Sequence, residues 1–197
     1  TEKNSPNDRL SGRYEDIRAN PFVRGENTMA QTTFSGPVRS LAGFITAGVN
    51  STISLTADTT LTVAAHAGKI ILLNDADGKF TLPSINVNTP TDPTAPSQDN
   101  NTGASFFFYV ETAATDLDIL TDGTDKFVGA AMVAVDDGAK KAFIPAASND
   151  VITLNGSTKG GIVGSVIRIT AIDDAMYLVH DSLLLGSGTI VTPFADA

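Results

Sequence analysis

From residue 31 onward the chain is a succession of short apolar runs, each closed by Gly, Asn, Asp or Pro. Ala, Thr, Val, Ile, Gly and Ser dominate these runs, and small and β-branched residues favour strands and tight turns over helices. The pattern predicts strands over residues 31–36, 39–46, 51–56, 59–64, 69–74 and 78–83. After a break it predicts eight more, over 105–111, 116–121, 126–135, 140–145, 150–155, 162–171, 175–180 and 188–192. Alternation in Thr52-Ile53-Ser54-Leu55-Thr56 and in Val166-Ile167-Arg168-Ile169-Thr170 implies one buried and one solvated face. The run Phe106-Phe107-Phe108-Tyr109-Val110 does not alternate, so it is expected to be buried on both faces, in a sandwich centre or at a subunit interface.

The turns have their own chemistry. Asp75-Ala76-Asp77-Gly78 and Asp136-Asp137-Gly138 join apolar runs and supply residues that tolerate positive φ, as hairpins require. Asn155-Gly156 is a strong turn dipeptide, followed at once by Lys159-Gly160-Gly161. Short strands at such close spacing indicate an all-β fold, an antiparallel β-sandwich or barrel. No internal repeat is legible in the sequence. Residues 84–103 carry three prolines and read as a long exposed loop, either a plain surface excursion or a tip that touches a neighbour or a host surface.

Residues 1–30 stand apart as an extended N-terminal arm preceding a body of residues 31–197. The arm is polar, with isolated apolar residues (Leu10, Tyr14, Ile17, Phe22, Val23) and two prolines, Pro6 and Pro21. That spacing cannot make a buried face, although Tyr14, Ile17 and Arg18 would fit one or two helical turns. Two readings are open: a disordered leader, or a segment that orders on a partner through its apolar anchors and arginines. On the second reading the partner-binding residues are Arg9, Arg13, Tyr14, Ile17, Arg18, Pro21, Phe22 and Arg24, with Asn20-Pro21-Phe22-Val23-Arg24 as the docking segment.

Charge narrows the partners. The net charge is −9, and residues 1–28 hold five basic and five acidic groups, so the excess negative charge belongs to the remainder. Phosphate binding needs clustered Lys and Arg, so nucleic acid is not an expected partner. No apolar stretch approaches the roughly 20 residues that span a bilayer, no signal-peptide pattern is visible, and no membrane association is expected. With no cysteine, thiolate metal sites, disulfides and a cysteine nucleophile are excluded.

Catalytic patterns are weak. His66 sits at a strand end or turn, and His180 precedes Asp181. A His–Asp pair orients a base in hydrolases, but adjacent strand residues point to opposite faces, and no G-x-S-x-G elbow accompanies them. Asp75-x-Asp77-Gly78 echoes a calcium loop, yet with Gly78 at its sixth position Leu73 falls first and Ser84 twelfth. Asp122-Gly123-Thr124-Asp125 and Asp173-Asp174 read as turns. Glutamates are confined to Glu2, Glu15, Glu26 and Glu111, and there is no Trp to form a sugar platform. The glycines from Gly156 to Gly164 lead into a strand, not into the helix N-terminus that a phosphate cradle needs. These features argue against an enzyme, and no cofactor is expected.

Several segments carry a resemblance. Asn149-Asp150-Val151-Ile152-Thr153-Leu154-Asn155-Gly156-Ser157-Thr158-Lys159-Gly160-Gly161 with Gly164-Ser165-Val166-Ile167-Arg168-Ile169, and the terminal Gly186-Ser187-Gly188-Thr189-Ile190-Val191-Thr192-Pro193-Phe194, are two of them. Gly78-Lys79-Phe80-Thr81-Leu82-Pro83 and Thr33-Phe34-Ser35-Gly36-Pro37-Val38-Arg39-Ser40 are the others. Together they resemble small structural proteins of tailed bacteriophages, over residues 31–197, with Met176-Tyr177 where related sequences often place an aromatic. The resemblance implies a capsid decoration (cement) protein on the outer surface of the virion. Its implied partner is the major capsid protein and its implied state a homotrimer at threefold sites. An arm of this length, at about 3.3 Å per residue, reaches on the order of 100 Å along a shell. The alternative is a receptor-binding or fibre-tip module gripping host glycans through loop 84–103.

Overall fold

A computed structural model describes residues 51–87 and 100–197. The arm and its eight candidate residues, the strands expected at 31–36 and 39–46, and the centre of loop 84–103 lie outside the described residues.

The described part is β-rich, and its first half follows a route that the hydrophobic pattern did not reveal. Strand β1 (Thr52–Leu55) lies in one sheet and β2 (Thr59–Thr60) in another. The chain then returns through a short helix, α1 (Val63–His66), to β3 (Ile70–Leu73) beside β1, crosses to β4 (Lys79–Thr81) beside β2, and repeats the circuit with β5 (Ser105–Val110) and β6 (Leu117–Leu120). Because each circuit visits both layers in the same sense, β1, β3 and β5 are parallel, and so are β2, β4 and β6. The expected antiparallel arrangement is therefore corrected to two mixed sheets. The physical reason lies in the turns: Asp75–Gly78 carries the chain between layers instead of folding it back as a hairpin. The circuits are also a repeat of path: Ile53, Ile71 and Phe108 stand side by side, as do Phe80 and Ile119.

The second half is mainly antiparallel. In the smaller sheet β10 (Val151–Leu154) pairs with β6, and β13 (Phe194–Ala195) closes the order β13-β10-β6-β4-β2. In the larger sheet β11 (Val166–Asp173) pairs with β5 and β12 (Met176–Gly186) with β11, both antiparallel. Beyond β12 lie β7 (Lys126–Gly129) and β8 (Ala131–Val135), both parallel to it, and β9 (Lys140–Phe143) forms a hairpin with β8 around Gly138.

One core joins the two layers. In the smaller sheet Phe80, Ile119, Ile152 and Phe194 form a continuous buried ladder across four strands. In the larger sheet Ile71, Phe108 and Ile167 do the same, with Leu73, Val110, Phe106 and Ile169 beside them. The alternation read in residues 166–170 is present, with Ile167 and Ile169 buried and Arg168 and Thr170 outside. The aromatic run corrects its expectation. Phe106, Phe108 and Val110 are buried, while Phe107 and Tyr109 lie half-buried on the outer face, so β5 obeys ordinary strand alternation with aromatics on both sides.

Other boundaries move for local reasons. The strand expected over 59–64 stops at Thr60 because Thr62 caps α1: its hydroxyl accepts from Ala65 N–H at 3.3 Å, and Ala64 and Ala65 favour a helix. His66 completes the cap, its Nδ1 accepting from Thr62 N–H at 2.9 Å. The strand expected at 188–192 is displaced to Phe194–Ala195. The Pro193 carbonyl accepts from Thr153 N–H at 2.8 Å, and the Phe194 ring packs 6.4 Å from that of Phe127.

The crossing from β10 to β11 is very close-packed. A Cβ on Gly186 would stand 2.1 Å from the Ser157 carbonyl oxygen, and one on Gly156, at φ +64°, 2.2 Å from that of Ala114. Gly186→Ala, at an ordinary φ, should therefore destabilise the fold by about 2–4 kcal/mol in urea unfolding. Gly138→Ala, where nothing lies within 4 Å, should cost only the positive-φ penalty of about 1–2 kcal/mol.

The C-terminal segment is fastened by Asp150. One carboxylate oxygen accepts from Lys126 Nζ at 2.7 Å and the other from Ala197 N–H at 2.8 Å. Burial by itself raises the Asp150 pKa, but these hydrogen bonds and the Lys126 charge outweigh it, so the carboxyl titrates below its ordinary value. A depressed pKa stabilises the fold fully above the unfolded-chain value of about 3.9, and the contribution is lost as pH falls through the lower folded value. Asp150→Ala should lower stability at neutral pH by about 2–4 kcal/mol, with the gap from the natural chain narrowing as pH falls below about 3.9 when unfolding is followed across pH.

Candidate functional site

Because β3, β5, β11 and β12 are neighbours, their outward residues form ordered rows on the outer face of the larger sheet. One row is Leu72, Tyr109, Val166 and Leu183; the next is Ile70, Phe107, Arg168 and His180; the third is Ser105, Thr170 and Leu178. Ile70 is 40% exposed and Leu183 41%, so part of the apolar surface of these rows meets solvent. The rows thus combine aliphatic and aromatic surface with one arginine near the centre.

A β-bulge shapes the polar part of this face. The pairing of β11 with β12 slips between Val166 and Arg168, and Asp181, in the extra length of β12, takes φ +43°. Aspartate tolerates this left-handed conformation better than most residues. The slip overturns the argument that His180 and Asp181, as sequence neighbours, must face apart: His180 Nδ1 lies 3.2 Å from Asp181 Oδ2. On the other side of the ring, His180 Nε2 is 2.9 Å from Thr170 Oγ1, which donates to Ser105 Oγ at 3.1 Å. Asp181 Oδ2 also stands 3.7 Å from Arg168 Nε, and the Arg168 guanidinium lies over the Phe107 ring, 5.1 Å from its centroid.

This string has the hydroxyl–imidazole–carboxylate order of a hydrolase triad. Two features oppose that use. The Thr170 hydroxyl is committed to Ser105 and His180. β11 is also paired on both edges, so its amides are spent in ladders instead of being free to hold an oxyanion. What the arrangement does is bias the position of Arg168: its guanidinium lies over the Phe107 ring, and the Asp181 carboxylate stands 3.7 Å away on its Nε side, at ion-pair but not hydrogen-bond distance.

The acidic turns behave as turns. Asp122 Oδ1 accepts from the amides of Thr124 and Asp125 at 2.9 and 3.0 Å. Burial raises its pKa, but these bonds with those from Ser84 and Thr124 hydroxyls prevail and bring it to about 2. Asp125 is pushed up, chiefly by burial and then by Asp122 and Asp174, while Ile85 N–H and Lys126 oppose the rise. Burial, with Asp125 and Asp122 nearby, also raises the Tyr177 phenol, which donates to the Pro83 carbonyl. Together these residues tie down the foot of loop 84–103. The foot's two sides are joined by Asn101, whose side chain donates to Ser84 O at 2.8 Å and accepts from Asn86 N–H at 2.7 Å. Among the described residues no group of three or more His, Asp or Glu side chains is placed to hold a metal ion, and no helix is long and apolar enough to cross a membrane.

If the bulge sets this face, replacing Asp181 should separate its two roles. Asp181→Val, β-branched at positive φ, should cost about 2 kcal/mol or more, whereas Asp181→Gly should be neutral or mildly stabilising, as thermal melts of the two variants would register. Comparison with known protein families, with curated protein sequences and with solved structures finds no match to the chain.

Proposed function

We propose that the chain is a virion structural protein, a capsid decoration (cement) protein of a tailed bacteriophage. On this reading the two sheets form a sandwich body that seats on the head. The arm reaches across neighbouring major capsid protein subunits through Arg9, Arg13, Tyr14, Ile17, Arg18, Pro21, Phe22 and Arg24. The observation that carries the reading is the outer face of the larger sheet: a broad, ordered surface of Leu72, Tyr109, Val166, Leu183, Ile70 and Phe107, partly exposed and built on paired strands. Aromatic and aliphatic residues around an arginine suit a protein interface, and a rigid sheet loses little entropy on docking. The resemblance of the turn-and-strand segments to phage structural proteins points the same way, and a trimer suits the threefold positions such proteins occupy.

The test is sedimentation of the purified chain with phage heads that lack it. Saturable, stoichiometric binding is expected, weakened about tenfold or more by deletion of residues 1–30. Unchanged affinity after that deletion would remove the arm from the mechanism. Failure of the full chain to bind heads, together with a saturable hit on a host-glycan array, would replace the reading with a receptor-binding module.

A further inference from the structure

Beside the row of Ile70, Phe107 and Arg168, the face opens into a hollow of about 160 Å³. Gly68, Lys69, Ile70, Ser105, Phe107 and Arg168 line it: two cations, one hydroxyl and apolar walls, with no acidic residue. In a chain of net charge −9 this is a local reversal of sign. Arg168 Nε is fully buried without a hydrogen bond, and Asp181, the carboxylate beside it, stands off at 3.7 Å on the Nε side. Among the described residues neither the terminal nitrogens of Arg168 nor Lys69 Nζ meets a carboxylate within salt-bridge distance. Ser105 Oγ accepts from Thr170, which leaves its own proton free to donate.

We propose that this hollow receives the carboxylate of an acidic side chain on the protein surface where the body seats. The inference rests on the shell-docking reading and adds the chemistry of the partner. Three features select a carboxylate over a phosphate or sulfate. A planar guanidinium positioned over Phe107, 5.1 Å from the ring centroid, presents a fork that matches a planar two-oxygen acceptor. The walls formed by Ile70 and Phe107 favour an anion that is easily stripped of water. The backbone amides that would cradle a phosphate are already used: Gly68 N–H donates to Ser105 O, Lys69 N–H to His66 O and Ile70 N–H to Ser51 O. The exposed aliphatic residues around the hollow indicate that the acid arrives flanked by apolar surface, as at a protein interface.

The first test is solution NMR of the full chain titrated with N-acetylglutamate. Saturable shifts are expected at Lys69, Ser105, Phe107 and Arg168 by the tens of millimolar, absent in Lys69→Ala and in Arg168→Gln, and smaller with inorganic phosphate or sulfate. Shifts that are diffuse, that persist in both variants, or that are larger with phosphate would overturn the assignment. The second test uses phage heads: Lys69→Glu combined with Arg168→Glu should weaken binding about tenfold at low salt, with less effect at high salt. Undiminished head binding by this variant would overturn the role of the hollow and leave the shell reading intact. Absence of head binding by the natural chain, with N-acetylglutamate still bound, would overturn the shell reading and leave the carboxylate site standing. A change in the variant's own oligomeric state would assign the hollow to a second copy and overturn the proposal.

Discussion

Burial between the two layers is the interaction on which everything else in this body depends. The described helix is four residues long, the chain has no cysteine to cross-link, and apart from β11 and β12 the described strands are short. Local structure therefore supplies little stability, and the ladders meet residues far apart in sequence. Phe80, Ile119, Ile152 and Phe194 on one side and Ile71, Phe108 and Ile167 on the other each remove roughly 1.5–3 kcal/mol worth of apolar surface from water. Neither ladder exists until the chain has crossed between layers several times, so the loop-closure entropy precedes the reward. Folding of such a topology is expected to be slow and cooperative.

Of the two register shifts between β11 and β12, the one at Asp181 has consequences on both sides of β12. The partner side is interrupted as well: the apolar run at 126–135 is two strands, β7 ending at Gly129 with φ +95° and Ala130 alone separating it from β8. Ser182 bridges the gap, its hydroxyl accepting from Met132 N–H at 3.0 Å. On the opposite edge the same slip gathers His180, Asp181 and Arg168 around Phe107. A residue that would be a packing defect in an ideal sheet thus becomes the device that organises a polar cluster among the aliphatic and aromatic rows of this face.

Much of the fold was legible in the sequence because it follows from local chemistry. Most strands in the described residues fall within a residue or two of where apolar runs and Gly, Asn and Asp turns place them, and the Asp136-Asp137-Gly138 hairpin is present. What could not be read was direction. A run such as Ile70–Leu73 has the same composition whether the next strand lies beside it or in the opposite layer, so the parallel circuits, and the repeat they embody, have no signature in spacing once a long loop is inserted. The outer-face cluster was hidden for a related reason. Strand alternation correctly separates neighbours, and it fails at Asp181 because a one-residue slip is a property of the pairing, not of either strand alone. The signal that could have raised it is an aspartate, tolerant of positive φ, set between apolar runs in a strand-rich stretch.

The knot of hydrogen bonds at Asn101 has an implication for how the protein can vary. Ser84, Asn86 and Asn101 hold the two ends of an insertion together at the point where one circuit of the coil hands over to the next. Since the ends are already closed, lengthening or exchanging the intervening segment changes only a logarithmic entropy term, about 0.6 kcal/mol per doubling. The β framework can therefore stay constant while what it displays there diverges freely, which makes this junction a natural port for foreign peptides or for adaptation to a new surface.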